Sequence, residues 1–393
     1  MFSLSPPVRA LAADLIAWRR HLHAHPELSF QERDTAAWVA AQLERLGIAP
    51  DRPTETGVVG VIEGGRPGPT VALRADLDAL PVQEENDVPY ASRRPGVMHA
   101  CGHDGHTAIL LGVARVLQAE RERLAGRVKL VFQPAEERPP GGALPLIEAG
   151  VLEGVAAVVG LHLWVDLPAG TAAVSPGPVM AHAEEFRVTI AGSGGHGSQP
   201  HQGVDAVLVA AQVVLNLQTV VSRRVDPRRP AVVSVGTIQG GYAFNVLAPS
   251  ATLAGTIRTF DEETRRRVHA EMERIVAHTC AMAGADGRIE FFGGYPAVVN
   301  DPAVAEAVAE AARVVDHRRV LPQEPSLGGE DFAYYAQRVP ACYFFLGAGN
   351  PAKGIVHPHH HPRFDIDEDV LPLGVEILAG AARRLLARPA AGS

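Results

Sequence analysis

Two adjacent glutamates, Glu136 and Glu137, directly follow an apolar run at 128–132. A carboxylate at the end of a buried strand is costly unless it meets a partner charge or a metal ion. Because neighbouring side chains point in different directions, one glutamate could bind a metal ion while the other moves protons. A metal-bound water whose pKa is lowered toward neutrality, beside such a base, is what hydrolysis of an amide requires.

Further thiol, imidazole and carboxylate groups occur in four other segments. Cys101 and His103 are separated by one small residue, so both side chains can face a single point. The remaining segments are RADLDALP (74–81), His162, and the histidine-rich run at 357–362. Thiolate, imidazole and carboxylate ligands together suit zinc, manganese, cobalt or nickel rather than calcium or magnesium.

Each of these segments also has an explanation that involves no chemistry. A cysteine such as Cys101 is more often a small buried hydrophobic residue than a ligand. Asp76 and Asp78 could cap a helix or close a turn. His162 could be a hydrogen-bonded core histidine, and two adjacent glutamates usually form a solvated surface. The coincidence of five such segments in one chain nevertheless favours a metal site.

The elements that must position these groups are short apolar runs that alternate with helical patterns. Strands are predicted at 71–74, 128–132, 155–161 and 342–347, and helices at 34–46, 106–119 and 302–314. Such alternation predicts an α/β fold, in which a mixed, mostly parallel sheet is flanked by helices. Sites in these sheets lie beyond the carboxyl ends of the strands, which is where four of the polar segments occur.

The middle of the chain has a different pattern. The segment 184–190 alternates polar and apolar residues, as a strand with one solvated face does. It is followed by a helix near 204–221, strands near 231–238 and 251–258, a helix near 262–283 and a strand at 288–292. The order βαββαβ predicts a ferredoxin-like domain with an antiparallel sheet. We therefore assign 1–181 and 295–393 to a catalytic domain and 182–294 to an inserted domain.

Composition excludes several classes of partner. A net charge of -8 and a pI near 6.1 argue against a nucleic-acid partner, since such proteins usually carry a basic stripe. The arginines at 223–229 are interrupted by Asp226 and are predicted to lie in a solvated loop. No uninterrupted run of 18 apolar residues predicts a membrane span. Three cysteines, an odd number, argue against a disulfide framework, so we expect a cytoplasmic protein.

Nine longer motifs are spread over nearly the whole chain: RRHLHAHPELSFQE (19–32), LRADLDALPVQE (73–84), MHACGHDGHTA (98–108), FQPAEE (132–137), GLHLW (160–164), GSGGHGSQPHQGVDA (192–206), FNVLAP (244–249), GED (329–331) and HHPRFDIDE (360–368). Together they closely resemble the dinuclear metallo-aminoacylase and carboxypeptidase family. Within that family, they are most similar to the branch of hippurate hydrolases and indoleacetyl-amino-acid hydrolases.

The resemblance implies a metal-dependent amidohydrolase that cleaves N-acyl-L-amino acids with two divalent ions per subunit. Glu136 would be the general base that activates a metal-bridging water, and Asp78 would orient a ligand imidazole. The last ligand is chosen as His360, rather than His359 or His361, because the family's His-x-Pro-x-Phe-Asp pattern begins there. The implied metal ligands are Cys101, His103, Glu137, His162 and His360.

The resemblance also gives the inserted domain a role as a lid and dimerisation domain. His196 would stabilise the oxyanion of the reaction, and Asn245 and Arg258 would hold the substrate's carboxylate. Taken alone, His196 is typical of a loop and Arg258 of a surface charge. The expected assembly is a homodimer or a tetramer built from dimers. The chain departs from the family at RPPGGA after Glu137 and at Gly329, which could reshape the pocket for the acyl group.

Three other functions stay open at this point. A metallo-carboxypeptidase or dipeptidase acting on short peptides would use the same metal site. A metal-binding protein without catalytic activity would have no need of a base beside its ligands, so the pair Glu136 and Glu137 argues against it. An enzyme that used Cys101 as a nucleophile would remain active after chelation of metal ions.

Overall fold

The structure, a computed structural model, describes residues 3–388 of the chain. The chain forms two compact units. The first contains the residues up to Val179, Val298–Glu324 and the residues from Asp331 onward, and the second contains Met180–Ala297 and Pro325–Glu330. By sequence, Pro325–Glu330 falls in the stretch assigned to the catalytic domain. Backbone bonds from Ala181 N to two carbonyls of this segment, at 3.0 and 3.1 Å, tie it to the second unit.

Strands and helices are labelled in chain order. The strands are β1 (Pro50–Asp51), β2 (Val58–Glu63), β3 (Arg66–Asp76), β4 (Ala125–Gln133), β5 (Val155–Pro168), β6 (Ala172–Ala173), β7 (Gly177–Met180), β8 (His182–Ala191), β9 (Gly195–His196), β10 (Ala231–Gly240), β11 (Val246–Leu247), β12 (Ser250–Thr259), β13 (Asp286–Phe292), β14 (Val298–Asn300), β15 (Val320–Leu321) and β16 (Ala341–Gly349). The α-helices are α1 (Pro6–Ala10), α2 (Ala12–Ala24), α3 (Arg33–Arg45), α4 (His103–Ala119), α5 (Ala143–Glu148), α6 (Ala206–Thr219), α7 (Glu262–Met282), α8 (Pro302–Asp316), α9 (Ala333–Ala336) and α10 (Leu371–Leu386).

The first unit is built around an eight-stranded sheet. Its strand order is β1-β2-β4-β3-β5-β16-β6-β15. The four central strands β4, β3, β5 and β16 are parallel, whereas β2 runs antiparallel to β4 and β6 antiparallel to β16. Every strand predicted for this part of the chain lies within one of these central strands. The predicted fold class, a mixed and mostly parallel sheet flanked by helices, is confirmed.

The helices of the first unit pack closely enough to require a small residue between them. Helix α4 contacts both α2 and α10. A Cβ atom at Gly112 of α4 would lie 2.6 Å from Val375 Cγ2 and 2.7 Å from Leu15 Cδ2. A larger residue at this position would therefore force the side chains of Val375 and Leu15 to shift. This packing matters for the site because it fixes the position of α4, whose first residue is the candidate ligand His103. The helix begins three residues earlier than the sequence predicts.

The second unit contains a four-stranded antiparallel sheet. Its strand order is β10-β12-β8-β13, and α6 and α7 supply the two crossovers. The order of elements along the chain is βαββαβ, as the sequence predicts. Alternate residues of β8, namely Phe186, Val188 and Ile190, are buried in the core of this unit. The ferredoxin-like arrangement follows from this strand order.

One helical stretch, Ala206–Arg224, is long and apolar enough to cross a membrane when judged by length and composition alone. This is weak evidence for a membrane span, because core helices of water-soluble proteins satisfy the same criterion. Arg223 and Arg224 lie in a π-helical turn that continues α6. The predicted loop is therefore wrong at these two residues, because the backbone of the helix continues through them.

Candidate metal centre

The polar segments of the first unit meet where the pairing between neighbouring parallel strands β3, β4 and β5 ends. Asp78 follows β3, Glu136 and Glu137 follow β4, and His162 lies within β5. Because β4, β3 and β5 are adjacent in the sheet, these side chains lie at the same end of the central strands. His103 reaches the same place from the first turn of α4, where Gly102 takes a positive φ of 96°.

The predicted ligands form two overlapping groups. The ligand atoms of Cys101, His103 and His162 lie within 4.8 Å of one another, as do those of Cys101, Glu137 and His360. The Sγ atom of Cys101 is 3.4 Å from His162 Nε2. His360 Nε2 is 3.4 Å from Glu137 Oε1. Since Cys101 belongs to both groups, the five side chains surround a common volume.

The two central imidazoles are held in a single orientation by backbone carbonyls. His162 Nδ1 donates to the carbonyl of Leu163 at 2.8 Å. His103 Nδ1 donates to the carbonyl of Asp78 at 2.9 Å and lies 3.3 Å from its Oδ1. In each neutral ring the proton is therefore on Nδ1, and the lone pair of Nε2 points toward the other ligands. This is the usual arrangement of metal-binding histidines.

Two atoms at the centre of this cluster make no hydrogen bond of good geometry with the described residues. They are His103 Nε2 and Glu137 Oε1, both buried and 3.9 Å apart. A buried polar atom without a partner costs free energy. A cation between the two atoms would remove that cost. The donor set of one sulfur, three imidazole nitrogens and a carboxylate fits a transition-metal ion.

The electrostatic surroundings of the cluster point in the same direction. Burial disfavours a charge on His103, but the neighbouring carboxylates of Asp76, Asp78 and Glu137 outweigh it and raise the pKa of His103 to about 10. Burial and the charges of Glu137 and Glu136 raise the pKa of the Cys101 thiol well above its usual value. The cluster therefore carries an excess of negative charge that attracts cations, and the thiolate form of Cys101 requires one.

Asp78 contacts more of the site than the sequence predicts. Its Oδ1 and Oδ2 atoms accept hydrogen bonds from the backbone amides of Glu136 and Glu137, each at 3.0 Å. Its Oδ2 also accepts from the hydroxyl of Ser29 at 2.7 Å. Burial alone would raise the pKa of Asp78, but its bonds with His103 and Ser29 lower it. Asp78 thus contacts a candidate ligand imidazole and also fixes the backbone of both glutamates.

The C-terminal histidines occupy different surroundings. His360 is the one whose Nε2 meets Glu137, and this contact raises the pKa of His360. His359 instead donates from Nε2 to the carbonyl of Leu163 at 3.0 Å and packs against Trp164. His361 stacks on His357 with the ring centroids 4.4 Å apart. The geometry therefore supports His360 among the three alternatives.

A buried network below the cluster was not predicted. His106 donates from Nδ1 to Asp76 at 2.6 Å and accepts at Nε2 from the amide of Leu163 at 2.8 Å. Both nitrogens are therefore occupied, which removes His106 as a ligand although it lies near His103. Arg74 lies 2.6 Å from Asp76 and 2.9 Å from Asp331. The motif MHACGHDGH contained the signal for His106, but its local pattern does not distinguish a ligand from a supporting residue.

The predicted substrate-binding residues lie in the second unit. His196 on β9 pairs with Val246 on β11, next to Asn245. His196 Nδ1 accepts from the amide and the hydroxyl of Ser198 at 3.1 and 2.9 Å, so the neutral ring carries its proton on Nε2. Arg258 lies on β12 and donates to the carbonyl of Leu327 at 3.0 Å. The second unit brings His196 and Asn245 together on one short ribbon.

The family model for peptidase family M20/M25/M40 matches residues 72–384 of this chain. The chain belongs to this family. It is 48% identical over 327 residues to the N-acyl-L-amino acid amidohydrolase of Geobacillus stearothermophilus, covering 83% of this chain and 88% of the relative. It is 42% identical over 375 residues to thermostable carboxypeptidase 2 of Saccharolobus solfataricus, covering 94% and 95%.

A solved structure supports the same assignment. The Bacillus subtilis YXEP protein, described as a dinuclear metal binding peptidase from the M20 family, matches with a TM-score of 0.86 and 38% identity, covering 96% of this chain and 99% of that one. The resemblance inferred from the motifs is confirmed. This M20-family chain is a metal-binding hydrolase of amide bonds, and its substrates are small molecules or peptides.

Proposed function

We propose that this M20-family enzyme hydrolyses the amide bond of N-acyl-L-amino acids. In this proposal two divalent ions, chosen from zinc, manganese, cobalt and nickel, are held by Cys101, His103, Glu137, His162 and His360. The observation that carries the proposal is the pair of adjacent glutamates beside one imidazole. Glu136 Oε2 and Glu137 Oε1 each lie 3.9 Å from His103 Nε2. One carboxylate can therefore bind a cation while the other remains within reach of the reacting atoms.

When bound, the two ions would lower the pKa of a water molecule and would polarise the carbonyl of the scissile amide. Glu136 accepts a proton from the attacking water, whose oxygen forms a bond to the carbonyl carbon. Glu136 then gives this proton to the nitrogen of the leaving amino acid as the C–N bond breaks. General acid-base catalysis of this kind contributes about 10²–10⁴-fold to the rate. Asp78 keeps Glu136 in place because it accepts a hydrogen bond from its backbone amide.

His196, Asn245 and Arg258 are proposed to bind the substrate. The Nε2–H of His196 suits donation to a developing oxyanion, because its Nδ1 is already occupied as an acceptor. The guanidinium of Arg258 and the amide of Asn245 suit the α-carboxylate of the amino acid. A free α-carboxylate is common to N-acyl amino acids and to peptides, so these residues do not by themselves distinguish the two.

The proposed assembly is a homodimer, which could further associate into a tetramer, formed through the second unit. Strand β10 lies at an edge of its sheet, and α6 packs beside it. Leu208, Leu215 and Ile238 on these two elements are exposed, and Leu215 is 70% exposed. An uncovered strand edge next to exposed apolar side chains is typical of a protein interface. A second copy of the chain would cover both features.

The second candidate function is a metallo-carboxypeptidase or dipeptidase, which the 42% identity to thermostable carboxypeptidase 2 favours. A mechanism in which Cys101 is the nucleophile is disfavoured, because burial and the nearby carboxylates of Glu137 and Glu136 raise the pKa of its thiol. The three cysteines are free thiols, so the proposed location is the reducing cytoplasm.

A substrate screen with defined metal content distinguishes these functions. The chelated enzyme is reconstituted separately with zinc, manganese, cobalt and nickel. It is then assayed on N-acetyl amino acids, benzoyl-glycine, Gly-Gly and blocked tripeptides. We expect metal-dependent release of amino acids from the N-acyl substrates. Faster cleavage of dipeptides would favour the second function, and activity that survives chelation would exclude both.

A further inference from the structure

Ala135, the residue before the two glutamates, has an unusual backbone conformation. Its φ is 53°, in the left-handed region that residues with a Cβ atom rarely adopt. Its side chain is buried. Such a conformation persists only where the surrounding structure holds it. The contacts of this turn therefore decide where Glu136 and Glu137 point.

Three consecutive backbone amides of the turn are bound by two buried carboxylates. The amide of Ala135 donates to Glu32 Oε1 at 2.7 Å. The next two amides, those of Glu136 and Glu137, donate to the two oxygens of Asp78. Glu32 is 0% exposed and Asp78 is 1% exposed. Consecutive amides that face one side form an anion-binding concavity, here filled by the protein's own carboxylates.

Glu32 belongs to a segment that packs against the end of β3. Leu28 forms a bridge with Ala79, and Ser29 donates its hydroxyl to Asp78 Oδ2 at 2.7 Å. The carboxylate of Glu32 contacts the turn after β4 by accepting the hydrogen bond from the amide of Ala135. The motif at 19–32 thus contacts the turn that carries Asp78 and the turn that carries Glu136 and Glu137. The proposed chemistry gives no role to any residue of this motif.

The contact made by Glu32 is unlike a stabilising ion pair. Its second oxygen, Oε2, is buried and has no hydrogen-bond partner among the described residues. Burial and the like charge of Asp78, which binds the adjacent amides, raise the pKa of Glu32 and outweigh the backbone hydrogen bonds that lower it. A buried carboxylate in such surroundings costs free energy. Stability alone therefore does not account for a glutamate at this position.

We infer that Glu32 is a positioning residue, which holds Ala135 in the left-handed conformation and thereby directs Glu136 and Glu137 to their separate tasks. This inference rests on the proposed function, in which Glu136 moves protons and Glu137 binds a metal ion. Without the bond to Glu32, the Ala135 turn relaxes toward a conformation in which the two carboxylates no longer share one centre.

Three variants and one control test this role. Glu32→Ala removes the acceptor, and we expect kcat to fall by about 10–100-fold with KM changed by less than about twofold. Glu32→Gln keeps an acceptor for the Ala135 amide and restores most of the kcat. Glu32→Ala combined with Ala135→Gly recovers part of the kcat, because glycine adopts the left-handed conformation at little cost.

The matched control is Glu27→Ala, in the same segment. Glu27 is also buried, and its Oε2 accepts from the backbone amide of Thr35 at 2.8 Å. This bond lies at the start of α3, away from the Ala135 turn. We expect Glu27→Ala to lower thermal stability and leave the kcat of the folded enzyme unchanged. Equal losses of kcat in Glu27→Ala and Glu32→Ala would reduce Glu32 to a structural role and overturn the inference.

Two measurements do not depend on turnover. Calorimetric titration of the chelated variants with Co²⁺ is expected to give an affinity about 10-fold weaker in Glu32→Ala and near wild type in Glu32→Gln. Crystal structures should show a changed φ at residue 135 in Glu32→Ala alone. An unchanged turn with unchanged Co²⁺ affinity would overturn the inference. If the wild-type enzyme cleaved none of the amides in the substrate screen, the proposed function would fail, and these two measurements would still decide the role of Glu32.

Discussion

Arg74 Nη2 lies 2.9 Å from Asp331 Oδ1, although 257 positions separate the two residues. The same guanidinium lies 2.6 Å from Asp76 and donates from Nε to Gln133 at 2.9 Å. All four residues are buried. The guanidinium of Arg74 therefore links the end of β3, the end of β4 and the segment before α9. This network adjoins the candidate metal centre, because Asp76 Oδ1 lies 3.8 Å from His103 Nδ1.

Replacing Arg74 with Met is expected to lower the free energy of unfolding by about 3–5 kcal/mol, because Asp76 and Asp331 lose a buried cationic partner. Urea denaturation of the chelated protein at neutral pH measures the loss. The control is Arg127→Met, which removes an exposed ion pair with Glu63 and should cost less than about 1 kcal/mol. Similar losses in the two variants would show that the buried network contributes little.

The stability of the chelated protein should depend on pH through Glu32. Burial and the charge of Asp78 raise the pKa of Glu32 from 4.5 to about 7. Between these values the folded protein binds a proton that the unfolded chain releases, so the free energy of unfolding falls as the pH rises and levels off above about 7. Glu32→Gln lacks this dependence. The stability of the variant relative to wild type should therefore increase by about 3 kcal/mol from pH 4.5 to about pH 8.

Urea denaturation of both proteins at several pH values measures this difference. Cys101 and His103 also titrate, but they are common to the two proteins and largely cancel in the comparison. A difference that stays constant over the range would mean that Glu32 ionises as it does in the unfolded chain.

The choice among the C-terminal histidines predicts a difference in metal content. His360→Ala should lose about one ion per chain or bind it at least 10-fold more weakly, because the group formed by Cys101, Glu137 and His360 loses its imidazole. His361→Ala is the matched control, since that ring stacks on His357 instead. Metal analysis after dialysis against dilute Co²⁺ distinguishes the two. Loss of metal from His361→Ala alone would move the ligand to position 361.

The proposed dimer predicts a dependence on one exposed leucine. Leu215→Asp places a charge in the middle of the apolar surface of α6, so the dimer should dissociate at micromolar concentration. Light scattering coupled to size-exclusion chromatography measures the mass. Val314→Asp is the control, because Val314 is 60% exposed on α8 of the first unit and lies outside the proposed interface. A wild-type protein with the mass of one chain would contradict the proposed assembly.

Much of the fold could be predicted because periodicity reports burial. The central strands are built around mostly apolar runs, and the alternation in 184–190 matches the single buried face of β8. Helix α2 was not predicted, because two of its buried residues are Arg19 and His23. Both are buried against Asp104, with contacts of 2.8 and 2.7 Å. A helix whose buried face is charged lacks the apolar pattern from which helices are recognised.

The types of ligand in the candidate site could be predicted from the sequence. The residues that hold those ligands in place could be predicted less well. Motifs that carry thiol, imidazole and carboxylate groups are local, so Cys101, His103 and the two glutamates are visible in the sequence. The partners of those groups are tertiary. The bond from Ala135 to Glu32 joins residues 103 positions apart, and no local pattern indicates it. The start of α4 was placed too late, because its polar first turn, beginning at His103, is typical of a loop although it is buried.

The two adjacent glutamates give the most direct test of the central claim, which is that one binds metal and the other moves protons. The measurement is the metal content and the kcat of Glu136→Gln and Glu137→Gln, compared on the best substrate of the screen. Glu136→Gln should retain two ions per chain and lose about 10²–10⁴-fold in kcat. Glu137→Gln should lose metal. Full activity in Glu136→Gln, or equal loss of metal from both variants, would contradict the account.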